Sequence, residues 1–417
     1  MSAPISSTGS PDHMFDPAAV RTQFPALDTE WALFDNAGGT APCLPVIERA
    51  SAHLSRRPVQ LGATYPCSVE AAREVQAGRE AMAQLTGVEA DRVFIGPSSS
   101  VMIRRIAEGL RRELEPGDEV IVTALDHHAN VGPWEELERQ GAVIKTWPFC
   151  KETHELRLED LQPLLSERTK LVAFGHVSNL IGTIHDVRAA CELIRSAGAI
   201  SVVDGVAAAP HRRPEVDALG ADFYVFSAYK VFGPHQGVLV GRPELLERLA
   251  PVYHPFLDDR KKGWEPAGGT YELMASLPGM VEHITSLGSG AGRASAADID
   301  SGYDAITRYE ADLARPLLEF LAGHPGVTLY GLADSADPSR VPTVSFSVGG
   351  RLSSEIATAA EEHKVAVRWG HFYAWNAAKE LGLLEQDGVV RASMVHYNTA
   401  EEVSRLVEAL ESVIGAV

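Results

Sequence analysis

Short runs of consecutive apolar residues alternate, along the first two-thirds of the chain, with stretches whose apolar residues recur at helical spacing. The runs at Arg92–Ile95, Glu119–Thr123, Val143–Trp147, Lys170–Phe174 and Ile200–Val203 predict five strands. A sixth opens the stretch Asp222–Gly237, where Phe223, Val225 and Phe226 bury the strand and Gly233, Pro234 and Gly237 stop it. Between them, helices are expected at Val69–Leu85 with Gly87 as C-cap, after Gly96-Pro97-Ser98-Ser99-Ser100 through about Glu113, around Pro133–Gln140, near Leu158–Leu165 and at Val187–Ser196. Strands apolar at consecutive positions are buried on both faces, so the pattern implies a largely parallel sheet covered by helices.

From about Leu287 the pattern changes. A long helix at Ala296–Phe320, a Pro-interrupted strand at Val341–Val348, a helix near Ser353–His363, a strand at Val365–Arg368 and a last amphipathic helix at Thr399–Val413 predict a smaller α/β domain. The expected layout is a polar arm over residues 1–30, mobile to about Phe15, a large domain over 31–286 and a small C-terminal domain over 287–417.

In sheets of this kind ligands gather at the carboxyl ends of the strands. Polar groups follow the predicted strands there: Asp126-His127-His128 after the second, His176-Val177-Ser178-Asn179 after the fourth, and Asp204 after the fifth. Lys230 closes the sixth. Each has an ordinary alternative. A strand-end lysine can reach water along its alkyl stem; Asp204 can cap a helix; Asn179 can cap a turn before Gly182. Paired histidines can be surface residues or metal ligands, but no third ligand at helical spacing accompanies them. Serines 98 to 100 can cap a helix, or can join its backbone N–H groups in an anion cradle suited to phosphate. Together, four strand ends would bring an aromatic ring, an amide, a carboxylate and a desolvated amine to one crevice.

Composition narrows the function further. The 417 residues, 45% of them hydrophobic, suffice for a large core and two domains. No apolar run approaches the roughly 18 to 20 residues of a membrane span, and Met1–Asp16 lacks the regions of a signal peptide, so a cytoplasmic protein is expected. Cys43, Cys67, Cys150 and Cys191 lie far apart with no Cys-x-x-Cys pair, which suggests reduced thiols rather than a disulfide framework or zinc site. A formal net charge of −19 with no basic stripe disfavours nucleic acid.

The crevice set is what pyridoxal phosphate needs: a lysine for the Schiff base, a carboxylate for the pyridine nitrogen, a flat side chain for the ring face and a helix N-terminus for the phosphate. The motifs also resemble a family. His-His-Ala-Asn-x-x-Pro-Trp at His127–Trp134, His-Val-Ser-Asn-x-x-Gly-Thr at His176–Thr183, Val-Asp-Gly at Val203–Gly205, Asp-Phe-Tyr-Val-Phe-Ser-x-x-Lys-x-x-Gly-Pro at Asp222–Pro234 and Arg-x-Gly-His at Arg368–His371 are similar to the class V aminotransferase group of fold-type I pyridoxal-phosphate enzymes, in particular its cysteine desulfurase-like branch. The resemblance, from about Leu33 to Tyr397, implies a mostly parallel seven-stranded sheet in the large domain. It implies Lys230 as the Schiff-base lysine, Asp204 at the pyridine nitrogen, His127 on the ring and Asn179 at the ring hydroxyl. Ser98, Ser99, Ser227 and, replacing a common histidine, Tyr229 fall at phosphate positions. Thr270, after Gly268-Gly269, resembles the loop that reaches a neighbouring subunit's phosphate, which implies a homodimer. Arg391 takes the place of the substrate-carboxylate arginine, with Asn36 and Tyr373 as further candidate substrate contacts.

Departures from the family bear on the reaction. Tyr373 stands where desulfurases carry the persulfide cysteine, and no cysteine follows Cys191. Ala207 replaces a frequent glutamine, and Trp369, Phe372, Tyr373 and Trp375 make the loop aromatic, suited to a substrate larger than cysteine or to packing of the domain seam. These features point to a carbon–sulfur lyase that carries out β-elimination on a cysteine-derived conjugate. Transamination, epimerisation, a decarboxylating or oxidative reaction, desulfuration through Cys43 or Cys67, and a non-catalytic scaffold remain alternatives.

Overall fold

The computed structural model describes residues 15–254, 256, 259–265, 268–288 and 295–415; the polar arm up to residue 14 lies outside them. After a short strand β1 (Ala32–Leu33) come β2 (Val93–Gly96), β3 (Glu119–Thr123), β4 (Val143–Trp147), β5 (Thr169–Gly175), β6 (Ile200–Asp204), β7 (Phe223–Ser227) and β8 (Gly237–Gly241). The last seven form one sheet in the order β2-β8-β7-β6-β5-β3-β4. Neighbours from β4 to β7 run parallel, while β8 is antiparallel to both β7 and β2. β2, β7 and β8 are buried throughout, as strands sandwiched between helical layers must be. The sequence pattern locates β3 and β4 at their observed ends but does not single out β8, whose Gly237-Val-Leu-Val-Gly241 carries only three apolar side chains.

Helices Pro66–Thr86, Ser99–Leu110 and Val187–Ser196 follow the apolar spacing closely. The segments around Pro133 and Leu158 are single helical turns that tighten into 3-10 geometry rather than full helices. The helix Leu44–Arg56 was not foreseen, because Pro45 in its first turn reads as a loop signal although it is tolerated there.

A second sheet, order β12-β13-β10-β9, is wholly antiparallel and is built from β9 (Val327–Tyr330), β10 (Thr343–Val348), β12 (Arg368–Gly370) and β13 (Val389–Ser393). β10 starts just after Pro342, which has no N–H for a ladder bond. The expected single strand at Val365–Arg368 is two: β11 (Val365–Ala366) pairs in parallel with β1, and the chain then changes partner so that β12 pairs with β13. Ala32 and Phe34, from the N-terminal side of the chain, are buried in the same apolar cluster as Leu317, Phe346 and Leu406 of the C-terminal part. Among the described residues no helix is long and apolar enough to cross a membrane.

Close helix packing depends on several positions without a side chain, Gly78, Gly109, Gly279 and Gly302 among them. A Cβ on Gly78 would lie 1.9 Å from the Met274 carbonyl oxygen. Overpacking of this kind costs ~1–3 kcal/mol, so Gly78→Ala lowers the thermal midpoint, whereas Gly323→Ala, where an added Cβ meets nothing within 4 Å, leaves it unchanged; a melting curve of the two variants checks this.

Candidate active site

The carboxyl ends of β3, β5, β6 and β7 converge on a cleft. Its walls include Ser99, Ser100, Asp126, His127, Asn179, Asp204, Tyr229 and Lys230. The predicted strand-end groups are thus brought together. Lys230 is not on the strand itself: β7 ends at Ser227, and a 3-10 turn over Ala228–Lys230 lifts the side chain off the sheet edge. That turn is clamped from two sides. Ala228 N–H donates to Gln236 O at 2.9 Å, and both the N–H and the hydroxyl of Thr40 donate to Tyr229 O at 3.1 Å. Phe232 N–H in turn donates to the Thr40 hydroxyl, holding Phe232 at a φ of 60° that a bulky residue rarely adopts.

Burial sets the electrostatics. Lys230 is 9% exposed, and desolvation lowers its pKa to about 8; Arg391 pushes the same way while Asp204 and Asp35 oppose it. Desolvation, reinforced by Lys230, His128 and Arg391, lowers His127 to about 4, so its imidazole is neutral at pH 7. His127 Nδ1 accepts from Ala129 N–H at 3.1 Å, which leaves Nε2 to carry the ring proton. Asp204 is raised by burial, although Val206 N–H, donating to Oδ1 at 2.9 Å, and Lys230 stabilise its charged form. Asp126, raised to about 7 by burial and then by Asp204, accepts from Asn130 Nδ2 at 2.8 Å and from Gly175 N–H at 2.9 Å.

The arrangement fits pyridoxal phosphate on its own chemistry. At one end, the first-turn N–H groups of helix Ser99–Leu110 have no acceptor within the helix. Ser227 Oγ donates to Ser99 Oγ at 2.8 Å, and Ser100 completes the cradle. Gly237 lets this loop approach: a Cβ there would come within 2.2 Å of the Ser98 carbonyl carbon and 2.4 Å of Ser99 N. Ser98 itself lies outside the cleft wall, its hydroxyl capping the helix by accepting from Val101 N–H. At the other end, the Asp204 and Asp126 carboxyl groups line the cleft without a salt bridge to another described residue, a place for a protonated ring nitrogen. Asn179 Oδ1, buried and without a partner among the described residues, remains for a donor from a ligand.

Other expected contacts fall differently. Asn36 is 5% exposed, and its amide is consumed inside the protein: Nδ2 donates to Leu33 O, Ser393 O and Asn398 Oδ1, and Oδ1 accepts from Tyr397. It braces the N-terminal loop rather than facing the cleft. Thr270 is exposed and accepts from Gln236 Nε2. Tyr229 stacks on His235 at 4.7 Å and walls the cleft. Arg391, 2% exposed, donates from one terminal nitrogen to Asn179 O and from the other to Asp35 Oδ1, both at 3.0 Å. Asp126 and Asp35 were not singled out individually; Asp126 was visible beside His127, and Asp35 in the run Phe34-Asp35-Asn36-Ala37-Gly38-Gly39. None of the four cysteines lines the cleft, and burial raises Cys43 to about 12.

A lysine, a ring carboxylate and a helix-capped phosphate cradle at one end of a mostly parallel sheet, with an antiparallel sheet beside it, define a fold-type I pyridoxal-phosphate enzyme. The chain belongs to the aminotransferase class-V family, whose model matches residues 32–406. It is 37% identical over 405 residues to the aminotransferase-like protein FGM3 of Gibberella zeae, covering 95% of this chain and 98% of that one. It is 31% identical to the cysteine desulfurase-like protein ustD of Aspergillus flavus, covering 97% and 92%. A cysteine desulfurase from Thermococcus onnurineus superposes with a TM-score of 0.84 at 26% identity, covering 95% of this chain and 98% of that structure.

Two outcomes follow from the cleft. Gly237→Ala, by pushing the Ser98–Ser99 backbone out of the cradle, weakens pyridoxal phosphate affinity at least tenfold, roughly the ~1.4 kcal/mol of a modest overpacking, as read by cofactor titration. Capture of cofactor by the cofactor-free chain needs a neutral amine, so with Lys230 at about 8 its rate climbs with pH through that value and levels off above it; a rate still climbing toward the ordinary lysine range in stopped-flow absorbance contradicts the desolvated amine.

Proposed function

We propose that the enzyme is a carbon–sulfur lyase carrying out β-elimination on a cysteine-derived conjugate. The observation that carries this is the surface beside the cleft. Tyr373, which the resemblance sets at the position of the desulfurases' persulfide cysteine, is 65% exposed and lies 5.3 Å, ring to ring, from His127. Past these two residues an open groove continues between Ser100–Arg104 and Ala129–Arg139, also lined by His128, Gly132, Pro133 and Glu135. A free cysteine has nothing to place there. A substituent carried on its sulfur does, and the thiol leaves along the groove instead of being captured by a protein cysteine.

Pyridoxal phosphate supplies, when bound, an electrophilic carbon for the substrate amine and a ring that withdraws electrons from a breaking bond at the α-carbon. Ser99, Ser100 and the helix N-terminus would hold its phosphate, Asp204 its ring nitrogen and His127 its face. The protein's share of the chemistry is then clear. Lys230, whose lowered pKa makes the neutral amine accessible near pH 8, accepts the α-proton. Arg391 holds the substrate carboxylate with a planar fork. His127, neutral, adds no charge beside the leaving sulfur. Overall the carbon–sulfur and carbon–nitrogen bonds break, one water is consumed, and thiol, pyruvate and ammonia leave.

Relatives named cysteine desulfurase or cysteine desulfurase-like support an amino-acid substrate bearing sulfur on its β-carbon. We further take the working form to be a cytoplasmic homodimer in which Thr270, exposed on one protomer, reaches the partner's cofactor; its exposure and four unpaired cysteines agree with this. The division of the chain at 286/287 is likewise a proposal.

Purified enzyme given a panel of S-substituted cysteines is expected to release pyruvate and thiol in equal amounts, with Lys230→Ala inactive and lacking the visible cofactor band. Tyr373→Ala reduces kcat/KM about tenfold for the bulkiest conjugates, ~1.4 kcal/mol, and leaves small ones unaffected. Release of neither product from any conjugate overturns the assignment; pyridoxamine phosphate, α-proton exchange or carbon dioxide would instead mark transamination, epimerisation or decarboxylation.

A further inference from the structure

Arg391 is buried with its recognition edge already in use. Of its two terminal nitrogens, one donates to Asn179 O and the other to Asp35 Oδ1, each at 3.0 Å, while Nε has no partner among the described residues. The face of the guanidinium is covered by the Phe372 ring, whose centroid lies 3.7 Å from Cζ. A carboxylate that grips the unpartnered Nε together with the Asp35-bound nitrogen needs Asp35 to let go.

The structure also provides somewhere for Asp35 to go. Arg368 on β12 stands directly opposite Arg391 on β13 in an antiparallel pair, an arrangement that is unfavourable for like charges. Asp35 sits between them, with Oδ1 on Arg391 and Oδ2 3.3 Å from Arg368 Nη1. Arg368 and Asp35 are both partly open to solvent, at 59% and 34% of their side chains, whereas Arg391 is at 3%. The Asp35 backbone is fixed by a bridge to Ser393 and by Gly38 N–H, and its carboxylate packs on Gly38, where a Cβ would lie 3.0 Å from both oxygens. The two arginines and one aspartate carry one net positive charge, the complement of one incoming carboxylate.

We propose that Asp35 is an internal stand-in for the substrate carboxylate: it holds Arg391 until substrate arrives, and then passes wholly to Arg368. Asp35 and Arg368 are positioning residues, acting through Arg391. This rests on Arg391 as the substrate-carboxylate arginine. The exchange keeps the buried guanidinium paired at every stage, since leaving a buried charge unpaired is the costly alternative. It also makes entry selective, because an amine without a carboxylate cannot displace Asp35.

The test compares two probes on the holoenzyme: aminooxyacetate, which carries a carboxylate, and O-methylhydroxylamine, which does not. Both are followed by the change in visible cofactor absorbance. Their rate ratio reports the carboxylate preference and cancels effects on the cofactor. Asp35→Asn, which removes the internal competitor, raises the ratio about tenfold, and Arg368→Gln, which removes its alternative seat, lowers it about tenfold. A ratio unchanged or lowered in Asp35→Asn, or unchanged in Arg368→Gln, overturns the proposal while O-methylhydroxylamine still reacts normally. Failure of O-methylhydroxylamine to react with the wild type would overturn the Lys230 assignment instead. The same ratio is read at equilibrium by calorimetric binding of N-phosphopyridoxyl-L-alanine and pyridoxamine phosphate to the cofactor-stripped full-length chain, where the two variants shift it in the same opposite directions.

Discussion

An ammonium group taken out of water has to be compensated or neutralised, and the architecture of this protein is arranged around that requirement at Lys230. The sheet supplies the burial, through strands that are apolar on both faces and a turn lifted just past the end of β7. Two carboxylates, on Asp204 and Asp35, oppose the neutralising effect of burial and of Arg391. The balance leaves an amine poised near pH 8 instead of fully suppressed or fully charged. Remove the surrounding apolar mass and the lysine becomes an ordinary surface base; remove the carboxylates and the turn holds an uncompensated site beside a second cation.

That balance accounts for why much of the molecule could be read from its residues alone. Residues that face a buried sheet announce themselves as apolar runs, so β3 and β4 were found to the residue, and the groups ending β3, β5, β6 and β7 were placed in one crevice by the rule that parallel strands open at one edge. Lys230, Asp204, His127 and Asn179 are polar interruptions of such runs and are visible for that reason. What stayed hidden depends on pairing across long separations. The segment Val365–Arg368 looks like one strand, but where it changes partner from β1 to β13 is a property of the other strands. Asn36 has the chemistry of a ligand contact, yet four internal hydrogen bonds absorb it, three of them to residues more than 350 positions away. Ser98 and Ser99 are alike in sequence and differ only in which one caps the helix.

The loop after β12 is held in an uncommon backbone conformation by contacts from distant parts of the chain. Phe372 and Tyr373 both hold positive φ, at 49° and 60°, and two local bonds keep them there: Asn179 Nδ2 donates to Phe372 O, and His128 N–H to Tyr373 O. Strain of this kind persists where the surroundings over-determine it. The loop thus touches Asn179, His128 and, through the Phe372 ring, the Arg391 guanidinium, while Tyr373 lines the groove.

The strap from Ala32 to Thr40 has a consequence for how the protein is made. At one end it pairs with β11 and is held through Asp35 and Asn36 by Arg391, Ser393 and Asn398; at the other, Thr40 clamps the turn that carries Lys230. Synthesis delivers the strap more than 350 residues before these anchors. The large sheet can assemble as it emerges from the ribosome, but the strap's bonds to Arg391, Ser393 and Asn398 form only once those residues are free to fold back on it. The strap therefore joins the lysine turn to residues made much later, and a change at either of its ends acts on the same few atoms.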